Sequence, residues 1–225
     1  MNRILLLLLI FTFSCAEREL QLPVTTTNEI TEVLDVSPIY IFYNDETGEA
    51  DFNRNNMIST TNWLVNIDKR LTLKQVLPHL QYLQEKRQGD GMHKNESAKN
   101  YFTCFNEDTK SLSFIEFTEI EYFEGSSADY LTKISDLINS NTIITIEINS
   151  INDITIANTN SENLSSKTNI SGVLSTLNQL NNQENLIYLN FELSLNFQDY
   201  ITIKSKLLEI EFDSIFIYEK EFIHN

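Results

Sequence analysis

The chain has 225 residues, with 16 Lys and Arg against 32 Asp and Glu and a formal net charge of -16. That balance excludes the basic surface on which binding of nucleic acid and of anionic headgroups depends. The length suits one large domain or two small ones with real hydrophobic cores.

The start of the chain is organised around Cys15. Arg3 is the only charge before it, residues 4–13 form an apolar run, and the small Ser14 directly precedes the cysteine. The run is shorter than the ~20 residues that a membrane span needs. A basic start, a short apolar stretch and a small residue at the cleavage point make a removed leader, and the cysteine makes it resemble a bacterial lipoprotein signal peptide. Residues 1–14 are then lost and Cys15 becomes the lipidated N-terminus, attached to a membrane without crossing it. Ala16 after the cysteine resembles the sorting signal for the outer membrane of Gram-negative bacteria, on the periplasmic face or exposed at the surface. Residues 15–35, polar and rich in Thr and Glu, read as lipidated cysteine plus flexible tether.

Pro38 opens an aromatic and β-branched run over residues 39–43 that fits a strand, closed by a turn at residues 44–48. A second strand covers residues 63–67. Thr72 can cap a helix whose apolar residues Leu73, Val76, Leu77, Leu80 and Leu83 fall at helical spacing, with Pro78 predicting a kink or a late start. Gly89 and Gly91 mark a loop over residues 88–99. Strands follow at 101–105 and 112–122, then a helix capped by Ser126 or Ser127 that carries Tyr130, Leu131, Ile134, Leu137 and Ile138, then a strand at 142–148. A short strand is predicted at 154–156, and residues 158–168 hold one weak strand or none. Asn169 can cap a helix with Ile170, Val173, Leu174, Leu177 and Leu180 inward. A strand at 186–191, a helix at 197–210 and a strand at 213–218 complete the chain.

The fold class is therefore α+β, as two similar small units at 36–149 and 150–225, each a mixed sheet with two helices packed on one face. Two matches suggest diverged copies. Val76-Leu77-x-x-Leu80-x-x-Leu83 recurs as Val173-Leu174-x-x-Leu177-x-x-Leu180, and Asp129-Tyr-Leu-Thr132 recurs as Asp199-Tyr-Ile-Thr202.

Within the second unit, Leu189-Asn-Phe-Glu192 followed by Leu195 and Phe197 resembles an apolar strand ending in an acid, with an aromatic residue opening the next helix, as in the periplasmic domain of the ExbD/TolR biopolymer-transport family. Glu192 stands where that family usually has Asp. The resemblance implies the order strand, strand, helix, strand, helix, strand. It also implies self-association or docking of an envelope protein partner, with Glu192 and Phe197 as possible contacts. The family's proton-driven motor role needs an acid in a transmembrane helix, and residues 4–13 have none.

Signals for chemistry are sparse. With Cys15 lipidated, Cys104 stands alone in a strand-like run and reads as a small buried hydrophobe. His79, His93 and His224 are not at metal-ligand spacing, and Gly125-Ser126-Ser127 reads as a helix cap rather than a nucleophile turn. Asp51, Asn53 and Asn55 supply the first, third and fifth oxygens of a calcium loop, but Asn62 replaces the bidentate Glu that the twelfth position needs. No cofactor is implied. The reading is a non-catalytic envelope accessory or scaffold that binds a protein partner. A peptidoglycan- or glycan-binding lipoprotein using Tyr40, Tyr43, Trp63 or Tyr122 is the alternative, and an envelope hydrolase is the third.

Overall fold

The computed structural model describes residues 18–89, 95–134, 142–158, 165–180, 184–210 and 213–225. The expected leader with Cys15 and Ala16, and the expected Gly91, His93, Leu137 and Ile138, lie outside them. Among the described residues, two mixed six-stranded sheets and four helices make an α+β fold in two similar units. No described helix is long and apolar enough to cross a membrane.

The first sheet holds β1 (Val24–Thr25), β2 (Val36–Tyr43), β3 (Ala50–Asn53), β4 (Asn62–Ile67), β5 (Asn100–Asn106) and β6 (Ser111–Glu116). β2, β4 and β5 run parallel, with β3 and β6 antiparallel outside them. β1 adds parallel pairing to the C-terminal end of β5. Helix α1 (Leu73–Gln88) makes the crossover from β4 to β5 and continues through Pro78. Its predicted apolar face, Leu73, Val76, Leu77, Leu80 and Leu83, is the buried one.

The second sheet is ordered β10-β9-β8-β11-β12-β7, from β7 (Glu121–Glu124), β8 (Thr142–Ser150), β9 (Asp153–Asn158), β10 (Ser165–Thr168), β11 (Asn185–Glu192) and β12 (Ile215–His224). Helix α3 (Ile170–Leu180) precedes β11, and α4 (Phe197–Leu208) makes the parallel crossover to β12. Helix α2 (Ser127–Ile134) follows β7. It packs on the opposite face of this sheet from the main core, where Tyr130 and Leu131 meet Ile143, Tyr188 and Phe222.

Sheet membership corrects the predicted division at 149/150. The strand expected at 112–122 is two strands, because the chain turns at Phe117, where its carbonyl accepts from the Ile120 N–H. β6 stays in the first sheet, while β7 pairs with β12 and β8 with β11. The second sheet thus takes its strands from both predicted halves. A single apolar core joins the two units, running from Ile39, Val65 and Phe102 of the first sheet to Ile146, Leu189 and Ile223 of the second.

The predicted tether is also corrected. Residues 18–35 are built into the fold: Val24 and Thr25 form β1, and Ile30 bridges Phe114. Thr25 and Ser205 share a buried hydroxyl contact at 2.7 Å.

Candidate functional site

The chain's internal symmetry is local and is written at two strand-to-helix loops. β4 leads through Val65-Asn66-Ile67-Asp68 and Leu71-Thr72-Leu73 into α1. β11 leads through Leu189-Asn190-Phe191-Glu192 and Leu195-Asn196-Phe197 into α4. The loops dock on one another. The Leu73 N–H donates to the Leu195 carbonyl at 2.8 Å and the Phe197 N–H to the Leu71 carbonyl at 2.7 Å; outside these, Lys74 donates to Leu193 at 2.9 Å and Gln198 to Lys69 at 3.2 Å. One shift along the sequence carries each bond onto its mate. The repeat therefore pairs α1 with α4. The sequence match of α1 with α3 reflects only a shared amphipathic period.

The acids at the two strand ends differ in setting. Asp68 is fully buried and is gripped by the Arg70 fork, with Nε to Oδ1 at 2.9 Å and Nη2 to Oδ2 at 2.8 Å. It also accepts the backbone N–H groups of Arg70 at 3.0 Å and Gln21 at 3.2 Å. Burial alone would raise its pKa, but the Arg70 fork and the two amides outweigh burial and hold it below the ordinary carboxylate range. Arg70 reaches on to Asp45 at 2.7 Å and lies 4.5 Å over the Tyr43 ring. Glu192, at the matching position, is half-buried and accepts from the Ser194 hydroxyl.

A second buried polar group replaces an apolar one in the repeat. In the first sheet Val65 pairs with Phe102; in the second Leu189 pairs with Glu221. β12 bulges between Ile217 and Glu221 while β11 advances only from Ile187 to Leu189. The buried Glu221 carboxylate accepts from the Tyr200 hydroxyl at 2.7 Å and from Lys204 Nζ at 2.5 Å. Tyr200 meets the Tyr122 hydroxyl at 3.1 Å. Burial, and then the Glu221 charge, push both phenols well above their ordinary pKa. This network ties β7, α4 and β12 together with every partner supplied from within the chain. It is a fastening rather than an open reaction centre.

The structure separates the residues singled out from the sequence. Phe197 is fully buried against Phe102, ring centres 5.3 Å apart, and Tyr200. It fills the core beneath the docked loops, and that burial rules out the expected partner contact. Asp51 and Asn53 lie in β3, an extended strand rather than a calcium loop. The Asp51 carboxylate pairs with Arg18 at 2.6 Å, and Asn53 accepts from the Asn55 N–H at 3.1 Å. Among the described residues no group of three His, Cys, Asp or Glu side chains is placed to hold a metal. Cys104 is fully buried, and burial pushes its thiol up to about 12. The Ser126 hydroxyl accepts from the Asp129 N–H at 3.2 Å, as a cap does.

Two surface features remain. β10 is an outer strand, and its Ser165, Ser166 and Lys167 are exposed. At the other outer edge, α1 covers β7: Gln84 accepts from the Tyr122 N–H at 3.2 Å and donates to the Ile120 carbonyl, and Gln81 donates to the Tyr122 carbonyl at 3.3 Å. On β2, the half-buried Tyr40 and Phe42 rings stack at 5.6 Å with 14° between planes. Phe42 also lines a depression of about 440 Å³ with Arg18, Tyr43, Asp45, Glu46 and Asp51. Of the aromatics proposed for glycan contact, Trp63 and Tyr122 are buried. Comparison with known proteins found no family model, no curated protein and no solved structure that matches the chain.

The docked loops were missed in the sequence, although a signal existed. The string apolar-Asn-apolar-acid-x-x-Leu-cap-apolar occurs at Val65 and again at Leu189.

Proposed function

We propose that the chain is a lipid-anchored protein of the cell envelope, held at the outer membrane through Cys15, that acts as a non-catalytic accessory or scaffold by binding a protein partner. The observation that carries the reading is the edge of β10, an exposed outer strand. An added strand gains main-chain hydrogen bonds there and specificity from alternate side chains. Lys167 discourages indiscriminate pairing of such an edge. The resemblance to ExbD/TolR periplasmic domains, read over residues 154–218, implies the same docking role, and the elements over that stretch run β9, β10, α3, β11, α4 and β12. The buried acids add to it, because Asp68 and Glu221 hold elements together.

The test is co-purification of tagged full-length protein from mildly solubilised envelopes, beside a Cys15→Ala control and two proline variants, Ser166→Pro and Lys167→Pro. Neighbouring amides of a strand point to opposite edges, so one proline removes an outward donor and the other disturbs the β9 ladder. A stoichiometric partner lost with the outward proline and with Cys15→Ala supports the proposal. Recovery of the protein alone, or a partner indifferent to both prolines, rejects it.

A second reading rests on the Tyr40–Phe42 stack, a flat platform beside Asp45 and Asp51 of the kind that suits a sugar ring. Recovery of wall fragments that depends on Phe42 favours it.

A further inference from the structure

We infer that the end of the fold carrying Arg18, the turn between β2 and β3 and Asp51 lies against the lipid bilayer surface. The inference rests on the lipoprotein reading of Cys15. Its structural basis is how soon after Cys15 the chain is fixed. Arg18 pairs with Asp51 at 2.6 Å and lies 5.5 Å over the Phe42 ring. The Gln21 N–H donates to Asp68 and its carbonyl accepts from the Lys69 N–H at 2.8 Å. The Val24 N–H and carbonyl are both held by the Gln198 side chain, at 2.8 and 2.9 Å.

Only Ala16 and Glu17 separate Cys15 from Arg18. Three residue steps at ~3.3–3.6 Å each span at most about 11 Å. An acylated cysteine sits at the headgroups, so Arg18 cannot stand further from them than that reach.

The fastenings also fix which end faces the lipid. Gln21 is bonded at the C-terminal end of β4, through Asp68 and Lys69. Lys69 in turn accepts from Gln198, and Leu193 donates to the His224 carbonyl at 2.7 Å, so the C-terminal end of β12 belongs to the same end of the molecule. Phe216, exposed near the start of β12, lies roughly 25 Å back along that strand at ~3.3 Å per residue.

Charge does not produce this orientation. Asp45, Glu46, Glu49 and Asp51 outnumber the cations around Arg18, and an acidic surface has no attraction for anionic headgroups. The short link imposes it.

The test uses full-length lipidated protein in phosphatidylcholine vesicles containing a headgroup-nitroxide lipid. A fluorophore is carried on Glu46→Cys or on Phe216→Cys; buried Cys104 stays unlabelled in the folded protein. Quenching several-fold stronger at position 46 than at 216 is expected. Inserting twenty Gly and Ser residues between Glu17 and Arg18, with a reach of roughly 25 Å, should erase the difference. Equal quenching at the two positions in vesicle-bound protein, or stronger quenching at 216, overturns the orientation alone. Failure of the protein to float with vesicles overturns the anchor, and with it the membrane part of the proposed function.

Discussion

Thr72 and Asn196 face one another in an antiparallel bridge, and each stands at the N-cap of the helix that follows it. The cap bonds differ. Asn196 Oδ1 accepts from the Asp199 N–H at 2.7 Å. At Thr72 the Gln75 side chain returns instead, accepting from the Thr72 N–H at 3.0 Å and its hydroxyl at 3.1 Å. Two helices that start side by side would each leave N–H groups unsatisfied where the two loops meet. Reciprocal donation to the carbonyls of the opposite loop meets that need. Asn196→Ala is expected to cost about 1 kcal/mol, the usual worth of an N-cap. Urea unfolding should show it as a lower midpoint with an unchanged slope.

Asp68 and Arg70 predict an acid limb of stability. The folded-state pKa of Asp68 lies below its unfolded value, so its contribution is present above that unfolded value of about 3.9 and is lost as pH falls through the folded one. Arg70→Ala leaves a buried carboxylate without its cation and should cost roughly 3 kcal/mol at neutral pH, the low end for breaking a buried pair because Arg70 is partly solvated. Asp68→Asn should flatten the loss between neutral pH and pH 3 that the parent shows. Urea midpoints measured at both pH values, with the variants alongside the parent, decide it; a parent curve as flat as that of Asp68→Asn would remove Asp68 from the acid response.

Much of the fold can be read along the chain, because most elements announce themselves by local period. Leu73, Val76, Leu77, Leu80 and Leu83 bury as their spacing requires, and Ile39, Ile41, Val65 and Ile67 alternate inward. Sheet membership is a different matter. β7 and β8 carry ordinary strand patterns, and nothing local says that they will pair with β12 and β11 rather than with the strands before them. Phe197 illustrates the same limit for the site: an aromatic residue at a helix start has the same composition whether it meets a partner or, as here, Phe102 of the other sheet. The docking of residues 18–35 is illegible for the opposite reason. Their Thr- and Glu-rich composition resembles a linker, while Val24 and Ile30 are fixed by edge pairing that needs no apolar period.

The Glu221 network separates the loss of a partner from the loss of a network. Glu221→Ala strands Lys204 and Tyr200 against the sheet and is expected to cost about 3–5 kcal/mol. Removing the charges together, as Glu221→Leu with Lys204→Met, should recover most of that loss, because apolar replacement of a buried ion pair is often neutral or stabilising. A double variant no more stable than Glu221→Ala would show that the site requires polar groups for a unique packing. Chemical denaturation gives the ranking, and the sharpness of the transition reports whether packing stays unique.

Arg87 lies 3.7 Å over the ring of Trp63, the single tryptophan of the chain, which makes this contact directly readable. Its Nε and Nη2 donate to Asn100 Oδ1 at 3.0 and 2.8 Å, and Nη1 to the Ser59 carbonyl at 2.9 Å. Burial pulls its pKa down to about 10, still far enough above neutrality to keep it charged at pH 7. Arg87→Lys preserves the charge but loses the planar face and the fork, which an ammonium cannot reproduce. The expected cost is about 1–2 kcal/mol, from a desolvated cation–π contact and the hydrogen bonds to Asn100. Trp63 emission in the folded variant should also shift to the red as solvent replaces the guanidinium. A variant with parental stability and an unmoved emission maximum would show that the ring is sheltered by its strand neighbours alone, and that Arg87 only covers them.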